Sequence, residues 1–168
     1  MFKQANKGFT LLEVMVALVI FSIGLLGLAG MQTISMDNNR VAYKRTIATQ
    51  LAYDMADRIR NNPNGTYTHD VTAASSIPAT VCVSTTSGAC SSSQMAAWDL
   101  YEWDQAIWDT KNSNMVNPRA IVSKSGSVFT ITIGWDESNT GLSPSSYDCS
   151  VTPPTPAGLE CVTIKVEL

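Results

Sequence analysis

Histidine is nearly missing from these 168 residues; His69 is the only one. No glycine-rich phosphate loop is present, and no nucleophile stands near a base in a recognisable pattern. These gaps argue against an enzyme. The carboxylates Asp99, Glu102, Asp104 and Asp109 share a predicted helix, where solvation of a surface accounts for them. Close Cys-x-x-Cys pairs are also missing. Seven residues separate Cys82 from Cys90 and eleven separate Cys149 from Cys161. With one histidine, that spacing supplies no zinc site, and no cofactor is expected. A basic excess is lacking too, since the net charge is -3. Dispersed lysines and arginines on an acidic chain give no strong nucleic-acid signal, although Arg40, Lys44 and Arg45 form a local basic group. Proline is absent before Pro63, and charge is absent from residues 14–31, where Ser22 is the sole hydroxyl.

The last two absences expose what is there. Apolar residues make up 45% of the chain, but they are concentrated in 14–31, while the remainder is rich in Ser, Thr, Asn and Pro. A secretory signal would have a shorter apolar core, about 7–15 residues, and a small-residue cleavage site after it. A membrane anchor fits better, since about 20 apolar residues span a bilayer. A plain anchor leaves two features without a role. Glu13 places a carboxylate at the edge of the apolar run, where a charge is costly and needs a partner. Lys7-Gly8 precedes Phe9, so a protease acting after Gly8 would create a new amine on Phe9. In a bundle of staggered helices, Glu13 of one subunit can neutralise that amine on a neighbour.

The string Gly8-Phe9-Thr10-Leu11-Leu12-Glu13 with its following apolar helix resembles the class III signal of type IV prepilins and type II secretion pseudopilins. The resemblance implies cleavage between Gly8 and Phe9 by prepilin peptidase, N-methylation of Phe9, and Glu13 as the assembly glutamate paired with Phe9 of a neighbour. The stretch Ala48–Pro63, with Leu51-Ala52, Met55, Asp57-Arg58, Arg60 and Asn62-Pro63, is similar to the helix end of PilV-type minor pilins. Gly24-Leu25-Leu26-Gly27-Leu28-Ala29-Gly30 adds to that likeness. Many major pilins carry a proline where Gly30 stands here. Gly24, Gly27 and Gly30 either soften the helix or allow close helix packing. Membership implies a minor pilin that helps initiate or modify pilus assembly. Its partners would be other minor and major pilins, prepilin peptidase and, before assembly, inner-membrane lipid. A minor pseudopilin of a type II secretion system has the same assembly physics. A membrane-anchored periplasmic enzyme or sensor is the rival from another class, and it predicts an intact N-terminus.

The organisation follows. Residues 1–8 are a leader, 9–31 the transmembrane and filament-core half of a helix, 32–63 its amphipathic half, and 64–168 a periplasmic globular domain. Ile34, Val41, Ala48 and Met55 recur at seven-residue steps, joined by Leu51 and Ile59, which gives a face able to cover a domain. Asp54 and Arg58 form a favourable (i, i+4) pair. Asn61-Asn62-Pro63-Asn64-Gly65 stops the helix. Residues 64–93 read as irregular, and Ser93–Lys111 reads as a helix with Ala96, Leu100, Trp103 and Ile107 on its core stripe. Trp98, Tyr101 and Trp108 gather on another side as packing residues. Strands follow around Ala120-Ile121-Val122, Val128–Trp135 and Val162–Leu168, with a hairpin at Lys124-Ser125-Gly126-Ser127. The fold class is α+β and pilin-like: a long helix, half of it transmembrane, packed on a small antiparallel sheet with an extra helix. In an exported domain Cys82, Cys90, Cys149 and Cys161 suggest two disulfides. Neighbour pairing is the simplest of three connectivities, and in the pilin pattern a disulfide closes the C-terminal loop.

Overall fold

The structure is a computed structural model that describes residues 8–82 and 89–168. The expected leader therefore lies outside the described residues apart from Gly8. Helix α1 spans Leu11–Asn61. Then come strand β1 (His69–Val71), helix α2 (Ser92–Trp108), and strands β2 (Arg119–Ser125), β3 (Val128–Asp136) and β4 (Leu159–Glu167). The four strands form one antiparallel sheet in the order β1-β2-β3-β4. This is an α+β, pilin-like arrangement. The chain divides into two compact units, residues 1–40 and 41–168.

In the second unit the core follows from two periodicities. On α1, Ala48, Ala52, Met55, Ala56 and Ile59 are fully buried. Their spacing of three and four residues makes one helical stripe. Small alanines at 48, 52 and 56 let the helix approach the sheet closely. On β3, Phe129, Ile131, Ile133 and Trp135 alternate inward and are essentially inaccessible. Ala96, Leu100, Trp103 and Ile107 of α2 complete the core. Ile34, expected on the α1 core face, is 65% exposed, and the buried stripe begins later, at Lys44 and Ala48. A seven-residue repeat marks a helix face, but it does not say how far along that face a domain reaches.

Local chemistry sets the element ends. Ser91 caps α2: its hydroxyl accepts the Gln94 N–H, while Gln94 returns a bond to the Ser91 N–H. This capping box starts the helix at Ser92. The predicted hairpin is present, and Gly126 takes the positive φ (62°) that its two-residue turn requires. Strand β1 falls inside the 64–93 stretch that reads as irregular. Three residues are too few to show a period, and His69–Val71 is a strand only because β2 pairs with it.

Gly134 decides what lies on the other face of the sheet. A Cβ there would meet Cys149 Sγ and a Tyr147 ring carbon, each at 3.2 Å. The missing side chain is what lets the loop between β3 and β4 lie against β3. That loop is joined to β4 by a Cys149–Cys161 disulfide, with Cα atoms 5.8 Å apart, and Cys82 is joined to Cys90.

Candidate functional site

The N-terminal part of α1 opens on Thr10. Its hydroxyl accepts the Glu13 N–H at 3.3 Å, and its carbonyl accepts the same N–H at 3.1 Å. Thr10-Leu11-Leu12-Glu13 thus has the Thr-x-x-Glu form of a helix start. That local signal is readable in the sequence and adds a helix-capping role for Thr10. Glu13 lies in the first helical turn, where the helix dipole favours a negative charge. Its carboxylate makes no hydrogen bond or ion pair among the described residues.

Phe9, Glu13, Ala17 and Phe21 follow one another at four-residue steps, so they form a single ridge along the helix. Ala17 makes a dent in that ridge. Phe9, Glu13, Val14, Ala17, Leu18 and Phe21 line the resulting shallow groove. The residues around it are apolar and open: Phe9 is 84% exposed and Leu12 is 73% exposed. Helix α1 holds a window long and apolar enough to cross a membrane. Ser22 keeps its hydroxyl paired by donating to the Leu18 carbonyl at 2.6 Å, as a hydroxyl in apolar surroundings must. Gly24, Gly27 and Gly30 have open space where a Cβ would stand.

The far end of α1 is held by polar contacts that sequence reasoning only partly anticipates. Arg58 donates to Asp54 at 2.9 Å, Asp99 at 3.0 Å and Glu102 at 2.8 Å. Tyr67 donates to the other Asp99 oxygen at 2.6 Å, and Trp98 Nε1 donates to Glu102 at 2.8 Å. Burial opposes the Arg58 charge, but its contacts with Glu102, Asp54 and Asp99 outweigh that and raise its pKa above the ordinary arginine value. Burial and the bond to Asp99 push the Tyr67 hydroxyl up as well. Arg58 is therefore more than part of a solvated helix end, whereas exposed Asp57 pairs only with exposed Arg60. Trp98 and Tyr101 pack ring against ring, with centroids 5.3 Å apart.

Two carboxylates expected on a solvated surface are instead buried. Asp99 is 9% exposed and Asp104 is inaccessible. Asp104 faces His69 Nε2 at 2.9 Å and accepts a hydrogen bond from Ser75. Helical spacing alone could not show that β1 and the segment after it would cover this side of α2. Ser75, His69 and Asp104 meet, but the carboxylate stands in the middle. Nucleophilic catalysis needs the imidazole between the hydroxyl and the acid, so this cluster is a satisfied polar core. Among the described residues no group of three or more His, Cys, Asp or Glu side chains could hold a metal ion.

The basic group also changes meaning. Lys44 is buried and bonds Glu137 at 2.9 Å, and Arg45 pairs with Glu160 at 2.5 Å. Both cations are engaged on the chain's own sheet domain. Asp136, fully buried, accepts the N–H groups of Gly141 (2.9 Å) and Leu142 (3.1 Å). Burial alone would raise its pKa; the bonds from Leu142, Thr140 and Gly141 overcome this and hold it below the ordinary carboxylate value.

A long N-terminal helix with an exposed apolar first part, and a sheet domain packed on its second part, define a membrane-anchored, pilin-like protein. Residues 3–29 match the family model described as Prokaryotic N-terminal methylation motif, and residues 30–101 match the one described as Type IV pilin Tt1218. Together the two matches support a type IV pilin, a structural protein. Membership implies contact with other pilins and processing by prepilin peptidase. Comparison with curated proteins and with solved structures finds no match.

Proposed function

We propose that this pilin is a minor pilin of the PilV type, which helps to initiate or modify type IV pilus assembly. On this reading prepilin peptidase cuts between Gly8 and Phe9 and methylates the Phe9 amine. The helix anchors in the inner membrane with the sheet domain in the periplasm, and the subunit then enters the pilus. The observation that carries the reading is Glu13: a carboxylate without a partner among the described residues, on the apolar, exposed first part of α1, within the matched methylation motif. A neighbour's Phe9 amine would sit against it in the dent at Ala17 and compensate two charges that apolar surroundings otherwise penalise. The PilV assignment rests on the likeness of the helix end from Leu51-Ala52 to Asn62-Pro63, where Arg58 ties α1 to α2.

The test is mass spectrometry of the protein purified from cells with active prepilin peptidase. A mature chain beginning with methylated Phe9 supports the reading, whereas an intact Met1 overturns it. Subtype is tested by deleting the gene. Loss of surface pili with secretion intact supports a pilus subunit, and the opposite result indicates a secretion pseudopilin.

A further inference from the structure

The chain holds a single Asn-Gly dipeptide, Asn64-Gly65, and it stands directly after α1. The Asn62 carbonyl accepts the Gly65 N–H at 2.9 Å, which closes a turn with Pro63 and Asn64 at its centre. Asn64 is exposed. An asparagine before a glycine is chemically labile. The Gly65 nitrogen can attack the carbonyl carbon of the Asn64 side chain, because no side chain shields that nitrogen. The nitrogen gives up its proton, a C–N bond forms, and the Asn64 amide group leaves as ammonia. Water then opens the resulting succinimide ring at either carbonyl, giving aspartate or iso-aspartate.

Packing imposes the glycine. A Cβ at position 65 would stand 2.5 Å from Asn62 Nδ2, 2.7 Å from a Tyr67 ring carbon and 3.0 Å from Ala96 Cβ. Non-bonded carbon atoms settle at about 3.5–4.0 Å, so no side chain fits there. The same packing holds the reaction back. Asn62 Nδ2 donates to the Ser92 carbonyl at 2.8 Å and to the Tyr67 hydroxyl at 3.1 Å, which fastens the turn to the start of α2. Attack needs the Gly65 nitrogen released from Asn62 and turned toward the Asn64 side chain. The turn must open first, and the rate then follows the population of the open form.

We infer that Asn64 is a site of spontaneous deamidation that the Asn62–Gly65 turn holds shut, and that the iso-aspartate product keeps the turn from closing again. Iso-aspartate routes the main chain through the former side chain and adds one carbon to it before Gly65. Gly65 has no room to take up that extra length, so the turn cannot reclose against Ser92 and Tyr67. The modification leaves the turn after α1 detached from α2, as a permanent record of one opening. It consumes only water and does not depend on the pilus assignment.

The test ages the full chain in detergent micelles at mildly alkaline pH, with and without enough urea to unfold the sheet domain. Peptide mapping by mass spectrometry with electron-transfer fragmentation separates iso-aspartate from aspartate. In urea Asn64 should deamidate before every other asparagine. In the folded chain its rate should be at least about tenfold lower. Asn62→Ala removes the bonds to Ser92 and Tyr67, and it should raise the folded-state rate toward the urea value while tryptophan fluorescence stays native. Hydrogen exchange reads the consequence. The iso-aspartate form should lose protection at the Met95 N–H, which bonds the Ser91 carbonyl at the start of α2. Asn64→Asp carries the same charge without the added carbon and should keep that protection. Another asparagine reacting first in urea, equal rates in the folded and unfolded chain, or no acceleration by Asn62→Ala would each overturn the inference. So would parental protection in the iso-aspartate form, or its loss in Asn64→Asp.

Discussion

Arg58 Nη1 donates to Asp99 Oδ1 at 3.0 Å, and through this contact the last turn of α1 is tied to α2. Asp99 is also bonded to Tyr67, and Arg58 to Glu102. Two residues separated by 41 positions thus join three segments that lie apart in the sequence. The strength of such a pair lies less in its net gain than in the cost of breaking it, because a lone carboxylate would stay buried.

Arg58→Met should therefore cost about 3 kcal/mol of stability, with Asp99 left without its cation. Chemical unfolding of the full chain in micelles, followed by tryptophan fluorescence, reads this. Restoring part of the loss with Arg58→Met/Asp99→Asn would show that the stranded charge, and not lost packing, carries the cost.

Glu13→Ala should leave membrane insertion intact and lower pilus incorporation by at least about tenfold, because a neighbour's amine then lacks its counter-charge in apolar surroundings. Quantitative immunoblotting of membrane and sheared-pilus fractions measures both. Normal incorporation would count against a pairing role for this carboxylate.

Asp136 sets a pH dependence of known sign. Its pKa is lowered in the folded chain, and the unfolded reference is 3.8. Its contribution to stability is complete above that reference and is lost as pH falls through the lower folded value. Melting temperature should drop on acidification below about pH 4. Asp136→Asn should flatten that drop while lowering stability at neutral pH.

Gly134→Val should destabilise the chain by about 1–3 kcal/mol. Even a Cβ would crowd Cys149 Sγ and Tyr147 at 3.2 Å, and two further methyls would displace the loop. Unfolding curves for Gly134→Ala and Gly134→Val should rank in that order. Equal stability of the valine variant and the parent would mean that the loop does not need this close approach.

Cys149→Ser/Cys161→Ser should cost roughly 3 kcal/mol through the freed loop in the unfolded chain. Denaturant midpoints of the parent and the double variant provide the comparison.

Much of the fold and of the N-terminal site is legible in the sequence. The apolar run, the Thr10–Glu13 helix start and the stop at Asn62-Pro63 are local signals, and periodicity alone reveals Ala96, Leu100, Trp103 and Ile107 as one face. The misreadings share a cause. Asp99 and Asp104 read as solvated because a helical wheel shows which residues share a side, not what covers that side. Ile34 reads as a core residue for the converse reason. Strand β1 stays hidden because three residues carry no period.

The sequence by itself determined the apolar run, the helix start at Thr10 and the two materials of the chain, because a missing charge and a missing proline act through neighbours a few positions away. Only the tertiary structure decided where charge is buried and which cations are engaged. Those depend on segments far apart in the chain meeting in space, as Arg58 meets Asp99 and Lys44 meets Glu137. No local pattern encodes such a meeting.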